Sequence, residues 1–190
     1  MSRPCRKILA SALLALLCTA AQGRDWLAGL FQSPRGIGLT VVLDGAGREL
    51  DIFTLRNDFY GILSGRTAQS GACLTYTHDY VFLVREDPGR RLMLHAGAGA
   101  AFGYVHDYEK GFFSAYDRAL VRRPGWMTAL AGNAGLRADF RRRITLDLGF
   151  SVLPGIHLRT DPDTGTLIAS LYRNGLWQAF FPQVNLLYRF

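Results

Sequence analysis

The final eleven residues constrain the chain most. Taken two at a time from the end, Phe190, Tyr188, Leu186, Val184, Pro182 and Phe180 form one apolar face, and Arg189, Leu187, Asn185, Gln183 and Phe181 form the other. A period of two over this length specifies an extended strand whose sides meet different surroundings. The pattern recurs upstream. Ile144, Leu146, Leu148, Phe150 and Val152 oppose Thr145, Asp147, Gly149 and Ser151 in the clearest strand, Arg143 to Leu158. Within Ala72 to Val84, Leu74, Tyr76, His78, Tyr80, Phe82 and Val84 oppose Cys73, Thr75, Thr77 and Asp79. From Leu92 to Asp107, residues such as Leu92, Leu94, Phe102 and Tyr104 oppose a side holding His95, Gly97, Gly99 and Gly103. Gly38–Leu43, Glu49–Tyr60 and Trp126–Phe140 add three more strands. The class is all-β, and only Leu167 to Tyr172 leaves room for a short helix.

The N-terminus is a processing segment. Arg3, Arg6 and Lys7 precede an apolar run from Ile8 to Leu17, and Thr19, Ala20 and Ala21 follow. This is the layout of a secretory signal, residues 1–23, with cleavage expected after Ala21 or Gly23. The run is too short to span a membrane as a helix, which needs about 20 residues. Loss of the three basic residues takes the net charge from +7 to +4. The remaining arginines are dispersed, which argues against nucleic acid as a partner. Cys5 and Cys18 leave with the signal, and Cys73 alone makes no internal disulfide.

Residues 24–190 then form one domain, and its alternation fits either a soluble sandwich or a barrel in a membrane. Strands of about 10–15 residues suit a tilted spanning strand. Aromatics gather near strand ends (Phe59, Tyr60, Tyr80, Phe102, Trp126, Phe140), as interfacial girdles require. Short turns (Glu86–Arg91, Arg141–Arg143) alternate with long connections (Gly61–Gly71, Tyr108–Gly125, Arg159–Trp177). The expectation is an antiparallel up-and-down transmembrane β-barrel. Seven strands are marked, and single-chain bacterial barrels hold an even number. The eighth is placed in residues 24–34, with a hairpin around Asn174-Gly175 as the alternative.

An eight-stranded barrel has an interior just wide enough for side chains to fill it. The expected lumen network is Arg56, Asp58, Asp79, His95, Arg137, Asp139, Asp147, Asn185 and Arg189, its charges paired. Such a network predicts a plugged barrel, with a narrow channel as the lesser alternative. His106 and His157, with Ser114, Ser151 and Asp107 nearby in the sequence, are the candidates for an acyl hydrolase or transferase acting on lipid. No motif fixes a triad among them, so no catalytic residue is assigned. The scattered histidines show no metal-ligand spacing, and no metal or cofactor is expected. Phe112, Phe113, Tyr116, Arg122 and Arg123 in one outer loop, and Tyr172 and Trp177 in another, mix aromatics with arginine in the way a binding surface does.

On the signal peptide, Ile144–Ser151, Gly97–Tyr104 and Phe180–Phe190, the chain resembles the small outer-membrane β-barrel proteins of Gram-negative bacteria. The resemblance implies location in the outer membrane, lipid and the barrel assembly machinery as partners, and a monomer. It also implies that Tyr188 and the terminal Phe190 carry the assembly signal. It implies no ligand, because such barrels serve as adhesins, enzymes, channels and anchors alike.

Overall fold

The computed structural model describes residues 25–34, 36–45, 48–57, 71–108, 122–140, 143–161 and 164–190. Ten strands are present among them: β1 Asp25–Ser33, β2 Gly36–Asp44, β3 Glu49–Asn57, β4 Ala72–Asp87, β5 Arg90–Tyr108, β6 Arg122–Phe140, β7 Ile144–Val152, β8 Gly155–Thr160, β9 Leu167–Leu171 and β10 Gln183–Arg189. The order β1-β2-β3-β4-β5-β6-β7-β10 closes on itself through the β5–β6 and β1–β10 pairings, so the fold is an eight-stranded antiparallel barrel with two extra strands. The signal segment and Asp58 lie outside the described residues.

The register fixes the barrel's shape. Starting at Arg90 and stepping across paired residues gives Phe140, Ile144, Tyr188, Ala28, Val41, Phe53, Tyr76 and then Ala100, ten residues along the strand where the circuit began. A shear of ten on eight strands tilts them about 40° from the barrel axis and gives a radius of about 8 Å. Each residue then climbs roughly 2.5 Å along the axis, and each step to the next strand roughly 3 Å.

The first strand is β1, inside the faint 24–34 stretch. It was faint because Leu27 and Phe31 point inward and are buried, while Trp26 and Leu30 point outward and are exposed. Both faces are therefore apolar, and no alternation marks them.

The stretch from Arg143 to Leu158 is two strands rather than one. The line breaks at Leu153-Pro154, then continues as β8, which pairs with Trp126–Ala129 of β6. Pro154 has no N–H to give a ladder, but its carbonyl still accepts from the Leu130 N–H at 3.0 Å.

Arg159–Trp177 is not one long loop. Residues 167–171, the stretch that leaves room for a short helix, form β9, hydrogen-bonded along β8; ladder pairing overrides a weak local helical pattern. The helix comes later, as α1 (Arg173–Trp177), followed by a 3₁₀ turn at Gln178–Phe180. Asn174-Gly175 therefore lies in a helix, not a hairpin.

Outward-facing residues form an apolar belt. Trp26, Phe140, Ile144, Tyr188 and Phe190 ring its lower edge, the end where the chain finishes, and Phe102, Trp126 and Leu130 mark its upper part. Phe190 closes the lower ring by packing on Trp26, with ring centroids 5.6 Å apart.

The interior departs from the polar lumen read from the sequence. Leu27, Val42, Leu50, Ile52 and Val81 of β1–β4, with Met93 of β5 and Leu187 of β10, form an apolar cluster. A second, higher cluster gathers Cys73, Val105, Met127, Leu153 and Tyr172. Each large apolar side chain taken from water contributes about 1.5–3 kcal/mol, so the barrel has a core of the soluble-protein kind along part of its inner wall.

Candidate functional site

Polar side chains from β1–β7 and β10 converge inside the barrel because inward positions recur every second residue. At the lower end Arg189 donates to Asp25 at 2.8 Å, to Asp44 at 3.1 Å and to Asp139 at 3.3 Å. Arg137, almost fully buried, donates from Nε to Asp139 at 3.2 Å and approaches Asp44 at 3.6 Å. Thr145 donates its hydroxyl to the same Asp139 carboxylate. Two arginines thus share three carboxylates.

At mid-height His95 lies between two aspartates. Its Nδ1 is 2.7 Å from Asp79 and its Nε2 3.3 Å from Asp147. A neutral imidazole offers one donor and one acceptor, so an imidazole facing a carboxylate on each side must donate from both nitrogens to satisfy both contacts. Asn133 adds a 2.8 Å bond to Asp79. Beside this trio, Thr40 donates to Asn185 at 2.9 Å and sits 3.2 Å from Thr54.

Above it, α1 and the 3₁₀ turn fold into the barrel mouth as a cap. Buried Gln178 accepts from Arg56 and donates to Ser151 at 2.8 Å, and Gln183 donates to the same hydroxyl. Arg56 also reaches the Tyr172 hydroxyl at 3.5 Å. Asn174 donates to the His106 carbonyl at 2.8 Å, and the Leu153 N–H donates to the Gly175 carbonyl at 3.0 Å. Gly175 is required here, since a Cβ would collide with the Leu153 carbonyl and the Tyr172 ring.

Between cap and trio lies a cavity of about 40 Å³ lined by Thr54, Thr77, Asn133, Asp147 and Asn185, among others. It has room for a water molecule or so and polar groups to hold it. A larger recess of about 440 Å³ opens at the lower rim among Arg90, Arg91, Arg189, Glu86 and Asp87.

Arg56, Asp79, His95, Arg137, Asp139, Asp147, Asn185 and Arg189 all face inward and fall into these three tiers. Asp25 and Asp44 belong with them but end strands, where they read as turn residues. Tyr172 was expected on an outer loop and is instead buried inside, beside His157. Its position follows from the inward fold of α1, which carries no periodic signal. Trp177 is half-buried on that cap, 5.6 Å from Phe180. Phe112, Phe113 and Tyr116 lie outside the described residues, as do the side chains of Arg122 and Arg123, whose backbone forms the start of β6 rather than a loop.

Among the described residues the arrangement offers a hydrolytic reaction no assembled pair. His157 is buried and donates from Nε2 to the Val105 carbonyl at 3.2 Å, while Ser151 is engaged by two glutamines. Among the described residues no three His, Cys, Asp or Glu side chains gather as a metal site.

One further feature lies on the outside of the wall. His78 Nδ1 is 2.7 Å from Asp51, and the Tyr76 hydroxyl donates to the same oxygen at 2.9 Å. These residues face outward from β3 and β4, within the apolar belt. The sequence had shown His78 on an apolar face but not its partner across the ladder.

No protein-family model matches the chain, and neither does any curated protein. Among solved structures the chain is similar to the N-terminal β-barrel domain of Pseudomonas aeruginosa OprF, at a TM-score of 0.54 and 11% identity, covering 88% of this chain and 97% of that one. At that identity the likeness is one of fold alone, that of a β-barrel.

Proposed function

We propose that the chain is an outer-membrane barrel with a side-chain-filled lumen, acting as a structural or surface-binding protein rather than an open pore. The leading residues 1–23 serve as its export signal, and lipid and the barrel assembly machinery are its first partners. One observation carries the reading: an apolar belt edged by aromatic rings surrounds an interior blocked at three levels. The belt matches the roughly 25 Å apolar band of such barrels, because the shear lifts Phe102 about 25 Å above the lower ring. The blockage consists of the Arg137–Arg189 tier, the His95 trio and the α1 cap, with a small cavity between the last two.

The test has two arms. The protein should need detergent for extraction and migrate differently on gels before and after heating; release as a soluble monomer would sink the reading. Planar-bilayer recordings should show no steady large conductance, and a reproducible open channel would refute the blocked lumen.

A further inference from the structure

We propose that the wall carrying Asp51, His78 and Tyr76 is the contact between two copies of this chain within the membrane. The inference rests on the membrane reading above and departs from the monomer expected by resemblance.

Depth is the first argument. Counting along the tilted strands places Asp51 and His78 roughly 8–11 Å above the lower aromatic ring, and His78 about 13 Å below Phe102. The cluster therefore sits near the middle of the belt, not at the headgroups. Ionisable side chains facing lipid at that depth are costly and mark functional contacts. Asp51 is largely covered, its carboxylate occupied by His78 and Tyr76, while the His78 side chain is 31% exposed. With Nδ1 on Asp51, His78 Nε2 has no partner among the described residues. Acyl chains offer it no hydrogen bond. Headgroups lie about 10 Å away.

The shape of the wall is the second argument. His78 pairs with Ala98 on β5, and Ala96, Ala98 and Ala100 continue into Gly132 and Ala134 on β6. A ridge of Tyr76, His78 and Tyr80 thus borders a shallow recess of small side chains. A two-fold axis parallel to the barrel axis, set between β4 and β5, lays each ridge in the other copy's recess. Small residues permit that close approach, and polar side chains can bond across it. Any partner must bring a polar group at this depth. A second copy does so by symmetry, presenting its own His78 at the same height.

In a Cys73→Ala background, Ala98→Cys is oxidised in outer-membrane vesicles and compared with Leu30→Cys, at similar height on the far wall. The expected result is at least tenfold more covalent dimer from Ala98→Cys. Adding Asp51→Leu with His78→Leu should reduce it to the Leu30 level while the barrel stays heat-modifiable. Equal cross-linking at the two positions, none at Ala98, or an adduct to a different protein overturns the proposal. If the protein is heat-modifiable and detergent-extracted in those cases, the membrane reading survives. If it is soluble, both fall.

Discussion

Asp79→Ala tests the interior network most sharply. Asp79 is fully buried, accepts from His95 at 2.7 Å and Asn133 at 2.8 Å, and does not border the cavity. Its removal strands a histidine N–H where no water follows, and breaking a buried pair from one side costs about 3–5 kcal/mol. Asp147 differs. Its contact with His95 is longer, at 3.3 Å, and it lines the cavity. Water can replace its carboxylate, so Asp147→Ala should cost about 1–2 kcal/mol. Replacing the whole trio by Asp79→Leu, His95→Met and Asp147→Leu removes every charge at once, and should cost less than Asp79→Ala alone. Urea unfolding from lipid vesicles, with the folded fraction read from heat-modifiable migration, measures all three. The reasoning fails if Asp79→Ala costs no more than Asp147→Ala. It fails equally if the triple variant loses the sum of the single ones.

The cap and the closing strand give three further tests. Gln178→Ala should destabilise by about 1.5–3 kcal/mol, because one of its two bonds is to the charged Arg56, and urea midpoints would show it. Gly175→Val should displace the cap, and trypsin should then cut faster after Arg173 in intact vesicles than in the parent protein. Phe190→Ala removes ring contacts to Trp26 and to Tyr188 at 5.6 and 5.2 Å, a loss of about 1–2 kcal/mol. Slower appearance of the heat-modifiable form during refolding into vesicles would register it.

Much of the barrel was legible because a wall with unlike sides must alternate. Ile144–Val152 and Gln183–Arg189 are flanked by polar interior and apolar exterior, and both strands stand out in the sequence. Legibility failed where the two sides are alike. Val42, Leu50, Ile52 and Val81 are inward and apolar, so the rule that apolar means outward mislabels half of the inner wall. The inward positions of Arg56, Asp79, His95, Arg137, Asp139, Asp147, Asn185 and Arg189 follow from alternation, whereas Thr40, in a short apolar strand, and Asp25 and Asp44, at strand ends, give no such signal. Tyr172 and Gln178 were out of reach, because a segment that folds back into a barrel mouth leaves no periodic trace. Asp51 and His78 were visible singly, but only the β3–β4 register joins them.

The burial of charge at mid-height follows from the room the wall leaves. With a radius of about 8 Å, a histidine between two aspartates fits inside only where neighbouring inward positions carry no side chain. Gly97 on β5 and Gly135 on β6 are such positions. A Cβ on Gly135 would stand 2.6 Å from His95 Nε2 and 2.9 Å from Asp147 Oδ1, and one on Gly97 would overlap the Asp79 carboxylate. Those glycines are the space that the trio occupies. Val42, Leu50 and Ile52, by contrast, keep full side chains and pack in an apolar cluster. Gly97 and Gly135 therefore set where the His95 trio can be buried, and a larger residue at either position would evict it.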